Sequence, residues 1–153
     1  MLKYLLKTPD AAWTAASPAE AKAENLKIKY LGTAGFILSD QTRTLVLDPF
    51  ISRPNFWQTF TQPLLSDPRL VKSYIPQADE VLIGHAHYDH ILDAPEVCKQ
   101  TGARLIGSGA TLMYGRSAGL SEARMIETKG RETIECGKWQ VIGLPSIHGK
   151  ALF

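Results

Sequence analysis

Three of the four histidines in this 153-residue sequence fall within six positions, His85-Ala86-His87-Tyr88-Asp89-His90. The fourth, His148, stands near the C-terminus after a second apolar run. Neutral imidazole offers a nitrogen lone pair near physiological pH and is the commonest protein metal ligand. Zinc and related ions take such nitrogens together with carboxylate oxygens. A loop with three imidazoles and one carboxylate can therefore start two adjacent metal sites. Among the chemistries open to such sites is hydrolysis, in which a bound ion polarises a carbonyl or phosphoryl group and lowers the pKa of a water from 15.7 to about 7.

The flanking residues supply the positioning. Glu80-Val81-Leu82-Ile83-Gly84 reads as a short buried strand, and the residues from Ile91 to Cys98 read as the start of a helix. The motif is thus expected in a strand-to-helix loop at the carboxyl end of a strand, where α/β proteins place their chemistry. Alternation sends His85 and His87 the same way. Asp89 and His90 follow where the chain turns, so they can face a neighbouring ion. His148 follows a strand over 138–145 and is expected as the third ligand of the first ion, beside His85 and His87. Ser146 has no nearby base outside this ligand set, so a serine-hydrolase reading fails.

The His-x-His-x-Asp-His run after an apolar strand resembles the signature of the metallo-β-lactamase superfamily. Tyr30-Leu31-Gly32-Thr33-Ala34-Gly35-Phe36 is similar to that family's opening hairpin, and Thr44-Leu45-Val46-Leu47-Asp48-Pro49 to its strand ending in Asp-Pro. Asp48-Pro49-Phe50-Ile51-Ser52-Arg53-Pro54 resembles most the branch with ascorbate-6-phosphate lactonase and N-acylphosphatidylethanolamine phospholipase D. The resemblance implies an αββα sandwich of which this chain is the first half. It implies two zinc ions in the complete protein, with manganese or iron as alternatives, and a small-molecule lactone, ester or phosphodiester substrate. A redox di-iron relative would carry Glu in place of His87, so the imidazole points to hydrolysis. Asp48 is expected behind the metal loop, orienting a ligand. Asp89 is also expected to orient the attacking water, and Tyr88, Trp57 and Lys150 to contact substrate. The resemblance further implies a bridging aspartate and a final histidine in a second half. No histidine and no acidic residue follows His148, so the chain alone is expected to hold metal weakly and turn over little. The competing reading is a non-catalytic metal-binding or interaction module that has lost its second site.

Composition bounds the rest. The 17 basic and 15 acidic residues give a net charge of +2 with no basic block, which argues against a nucleic-acid partner. Two cysteines, Cys98 and Cys136, are too few for a disulfide framework and read as partly buried thiols. No apolar run approaches the roughly 20 residues that span a bilayer. A cytoplasmic protein is expected, with weak membrane-surface association through residues 1–7 as the alternative. Residues 1–25 read as a leader or arm, with Ser17-Pro18 starting a helix, and 26–153 as the metallo-β-lactamase-like half-domain.

The remaining elements follow in order. Strands are expected over 26–30, 36–39 and 43–47. Residues 49–77, with five prolines and Phe50, Phe56, Trp57 and Phe60, read as a long binding loop, with a helix from Asp67-Pro68. A helix from Ala94 should end at Gly102. A strand over 104–107, a helix from Ser108 to Ala118, and three strands joined by turns at Lys129-Gly130 and Cys136-Gly137 complete a layout with two hairpins. A half-fold leaves a sheet face uncovered, which favours self-association.

Overall fold

The computed structural model describes residues 26–145. The expectations for the leader, Ser146, His148 and Lys150 lie outside the described residues. Six strands form one sheet in the order β1-β2-β3-β4-β5-β6: β1 Lys27–Gly32, β2 Gly35–Ser39, β3 Thr44–Leu47, β4 Glu80–Leu82, β5 Arg104–Gly107 and β6 Met125–Glu127. β1, β2 and β3 pair antiparallel through tight turns, and β3, β4, β5 and β6 run parallel. Parallel neighbours need crossovers. These carry helices α1 Phe56–Thr61 and α2 Pro68–Tyr74, then α3 Tyr88–Ile91 and α4 Ala94–Thr101, then α5 Gly109–Ser117 and a 3-10 turn.

Strand register explains the core. Ile37, Val46, Val81, Leu105 and Met125 are opposed across five successive strands and point to one face. Val71 of α2 and Ile75 just past its end, Ile91, Val97 and Cys98 beneath the motif, and Leu112 of α5 cover that row. β-Branched residues suit these short central strands because both sheet faces are packed there.

The opposite face carries Leu45, Leu47, Glu80, Leu82, Arg104 and Ile106. A two-stranded hairpin, β7 Thr133–Cys136 with β8 Trp139–Ile142, lies against it. Ile134 and Val141, directly opposed in that hairpin, line an apolar cleft with Leu47, Leu82 and Ile106. Trp139 Nε1 donates to Asp40 Oδ2 at 2.9 Å, and Arg104 donates to the Glu135 carbonyl at 3.3 Å. Ile28 and Tyr30, on edge strand β1, remain 62% exposed.

Several expectations need correction. Residues 49–77 are not one loop: Asn55 and Gln58 form a reciprocal capping box that starts α1. On that helix Phe56, Trp57 and Phe60 are 70%, 74% and 69% exposed and pack on one another. A separate one-turn helix, Tyr88–Ile91, occupies the second half of the motif, and the helix after it begins at Ala94. β6 and β7 do not pair, because the chain leaves the six-stranded sheet at the Lys129-Gly130 turn. Cys98 and Cys136 are unpaired and fully buried. The expected helices at Asp67-Pro68 and Ser108 and the left-handed Gly102 stop are present. Among the described residues no helix is long and apolar enough to cross a membrane.

Candidate metal centre

β4 ends at Leu82, and the ladder continues one step through Ile83 N–H to the Ile106 carbonyl at 3.0 Å. The chain then leaves the sheet. Asp48, at the end of the adjacent strand β3, adopts φ 40°, a left-handed conformation that Asp tolerates better than most residues. Its backbone N–H reaches the Leu82 carbonyl at 3.0 Å, and its Oδ1 accepts from Gly84 N–H at 2.7 Å. A side chain at position 84 would crowd that carboxylate, so glycine suits the close approach.

The motif itself is half extended and half helical. His87 is the N-cap of the one-turn helix α3, and its carbonyl accepts from His90 N–H at 3.0 Å and Ile91 N–H at 3.1 Å. That turn swings His90 back over His85. The ring centroids of His85 and His90 lie 3.8 Å apart, and those of His85 and His87 4.7 Å apart. His90 is nearly buried. Its Nδ1 sits 3.0 Å from Asp48 Oδ2, at an angle that does not make a hydrogen bond, and its Nε2 lies 3.8 Å from Asp89 Oδ2.

The structure therefore brings His85, His87, Asp89 and His90 into one patch with Asp48 behind it. It does not bring Trp57 into contact with them among the interactions described; Trp57 packs edge-on against Phe56. Tyr88 stands between the patch and the proline-rich segment, edge-on to Phe50 at 5.9 Å.

In kind, these donors fit a divalent ion: three imidazoles and a carboxylate, with one imidazole, His90, backed by Asp48. In arrangement they are not a closed cage. Among the described residues, no group of three or more His, Cys, Asp or Glu side chains is placed to hold a metal ion. The imidazoles meet ring against ring, whereas a coordinated set aims its nitrogens at one point. Cys98 is no substitute donor, since burial in the core pushes its thiol up to about 12, far from the thiolate a metal needs.

One residue with a large structural role escapes sequence reasoning. Asp93, three positions after His90, is fully buried and accepts hydrogen bonds from Ile51, Ser52 and Ser66. An Asp before Ala-Pro looks like a helix cap, and nothing in the spacing points to partners some 27 to 42 residues away.

Residues 43–152 match the family described as Beta-lactamase superfamily domain. The chain belongs to this family. Two curated relatives in the superfamily carry the description UPF0173 metal-dependent hydrolase. One, from Methylacidiphilum infernorum, is 34% identical over 113 residues, covering 74% of this chain and 45% of that protein. The other, from Methanopyrus kandleri, is 29% identical over 128 residues, covering 83% of this chain and 49% of that protein. The chain thus spans about half the length of the curated relatives it matches. A solved structure, the diiron β-hydroxylase CmlA from Streptomyces venezuelae, superposes with a TM-score of 0.56 at 23% identity, over 80% of this chain and 24% of that one. That likeness shows the fold, a mixed α/β metallo-β-lactamase-like sheet and helix arrangement.

Proposed function

We propose that the complete protein is a metal-dependent hydrolase, with zinc as the resident metal and a lactone, ester or phosphodiester as its small-molecule substrate. His85, His87 and His148 would hold one ion, and Asp89 and His90 would begin the site of a second. The observation that carries this reading is the gathering of His85, His87, Asp89 and His90 at the carboxyl end of β4, in a chain of this family. When bound, such ions polarise the scissile group and bring a water's pKa toward neutrality.

The chain's own residues supply orientation. Asp48 faces His90 Nδ1, which leaves Nε2, the nitrogen beside Asp89, to face an ion. A carboxylate behind a metal-binding imidazole raises its basicity, and Asp48 stands in that place at 3.0 Å. Gly84 N–H, held by the other Asp48 oxygen, pins the start of the loop. Asp89, more than a third exposed, is the residue proposed to orient the attacking water. Tyr88, backed by Phe50, and Lys150 are the proposed substrate contacts, with Trp57 on the exposed rim of α1.

A second reading, a non-catalytic metal-binding or interaction module, is favoured by the open arrangement of the described donors. The test is hydrolysis of chromogenic lactone, ester and phosphodiester probes by chelator-stripped protein before and after zinc is restored, with Asp89→Asn and His87→Ala beside it. Activity that returns with zinc and drops by about 100-fold or more in Asp89→Asn supports the hydrolase. Zinc binding with no turnover of any probe supports the module. Turnover that survives chelation and both substitutions would overturn the metal mechanism.

A further inference from the structure

The segment before the proline-rich region is shaped around one buried carboxylate. Asp93 Oδ2 accepts from Ile51 N–H at 2.5 Å and Ser52 N–H at 2.8 Å; Oδ1 accepts from the hydroxyls of Ser52 and Ser66, both at 2.5 Å. Ser52 Oγ in turn accepts from Asp67 N–H at 2.6 Å. Four donors around a group with no exposed surface is full satisfaction of a carboxylate, by neutral partners alone. Its position makes this unusual. Asp93 is the N-cap residue of α4, yet its side chain makes no cap hydrogen bond, and Pro95 in the first turn removes one amide it could have capped. The carboxylate is turned away from its own helix and toward two distant stretches of chain.

Those two stretches bracket α1. Between them Arg53 holds the far side: its guanidinium donates to the Leu31 carbonyl and, through Nε, to the Phe50 carbonyl at 3.1 Å. It lies against Gly32, where any side chain would overlap it. Phe50 is thereby fixed between two anchors, with its ring edge-on to Tyr88 inside the histidine motif.

We propose that Asp93 is a positioning residue that locks residues 50–52 and 66–67 together and so sets the Phe50–Tyr88 wall beside the metal-binding loop. Asp93 acts on the wall and not on the ions. The proposal rests on the hydrolase reading for what the wall borders; the lock itself needs no metal.

The experiment compares wild-type protein with Asp93→Asn, Ser66→Ala and Ser66→Thr, by amide hydrogen exchange and by zinc titration against a chromophoric chelator. A fluorotyrosine resonance, assigned to Tyr88 with Tyr88→Phe, reports the wall directly. In Asp93→Asn, exchange across residues 50–67 should rise about tenfold or more while β3, β4 and β5 stay protected. The Tyr88 resonance should shift, and zinc affinity should stay within about threefold of wild type. Ser66→Ala, which removes one donor and leaves the core intact, should raise exchange near residue 66 by about fivefold, and Ser66→Thr should restore it. If Asp93→Asn unfolds, the serine pair decides the matter alone. Unchanged exchange and an unmoved Tyr88 signal in Asp93→Asn or Ser66→Ala would overturn the lock. A tenfold or greater loss of zinc affinity in Asp93→Asn would place Asp93 on the metal loop instead and overturn the assignment. Wild-type protein that binds no zinc would count against the hydrolase reading and leave the exchange result to judge the lock.

Discussion

Two fully buried carboxylates stand at opposite ends of the parallel strands, and they are satisfied in different ways. Asp93, near the carboxyl ends, is surrounded by amides and hydroxyls and ties two loop stretches together beside the motif. Glu80, at the start of β4, is held by charge. Arg43 and Arg104 both reach its Oε1, at 2.6 and 2.7 Å, and Oε2 has no hydrogen-bond partner. Arg104 also contacts the hairpin at the Glu135 carbonyl. The first carboxylate organises loops around chemistry; the second fastens β7 and β8 to the sheet. Neutral donors released from Asp93 can turn to water, whereas two arginines deprived of Glu80 leave like charges facing each other in a partly buried space.

That contrast can be broken at several strengths. The largest effect belongs to Glu80→Ala, which should cost about 3 kcal/mol in urea unfolding and loosen the β7–β8 hairpin first in hydrogen exchange. Asp93→Ala should cost less, about 2 kcal/mol in the same measurement, because the freed amides of residues 51 and 52 become hydrated. If the two losses were equal, the distinction between a charge clamp and a loop lock would fail.

A smaller effect tests the hairpin from its other anchor. Asp40 accepts from the Thr42 hydroxyl and amide, the Arg43 amide and Trp139 Nε1, and the Thr42 hydroxyl above all holds its carboxyl down at about 2. A carboxyl depressed in the folded state stabilises that state above its ordinary pKa of 3.8 and loses the contribution as pH falls toward 2. The Trp139 fluorescence should therefore change over that acid window, and Asp40→Asn should remove the transition without unfolding the sheet. A transition of the same midpoint in Asp40→Asn would assign it to another group.

Much of the site's framework was legible because its physics is local. The runs through Val46, Val81 and Leu105 read as strands, and they are opposed in register in the centre of the sheet. Asp67-Pro68 and Gly102 mark helix ends by their own conformational preferences, and both stand where expected. The histidine motif singled out the patch by composition, and the position of Asp48 behind it came through the family resemblance. Where the outcome depended on distant partners, the sequence was silent. α1 is too short for a periodic signal, although Asn55 and Gln58 at capping-box spacing were a usable clue. The Lys129-Gly130 turn serves a hairpin and a change of sheet equally well, so the separation of β6 from β7 could not be read. Asp93 carried no sequence signal of its role, and only the folded chain shows its carboxylate facing residues 51, 52 and 66.

The central claim is that His85, His87, Asp89 and His90 form a metal centre. The most direct measurement is zinc bound per chain, with ligand type read by X-ray absorption, on wild-type protein and His87→Ala. The account predicts stoichiometric zinc with nitrogen and oxygen donors, falling at least tenfold in affinity when His87 is removed. Zinc bound equally well by His87→Ala, or through sulfur, would contradict it.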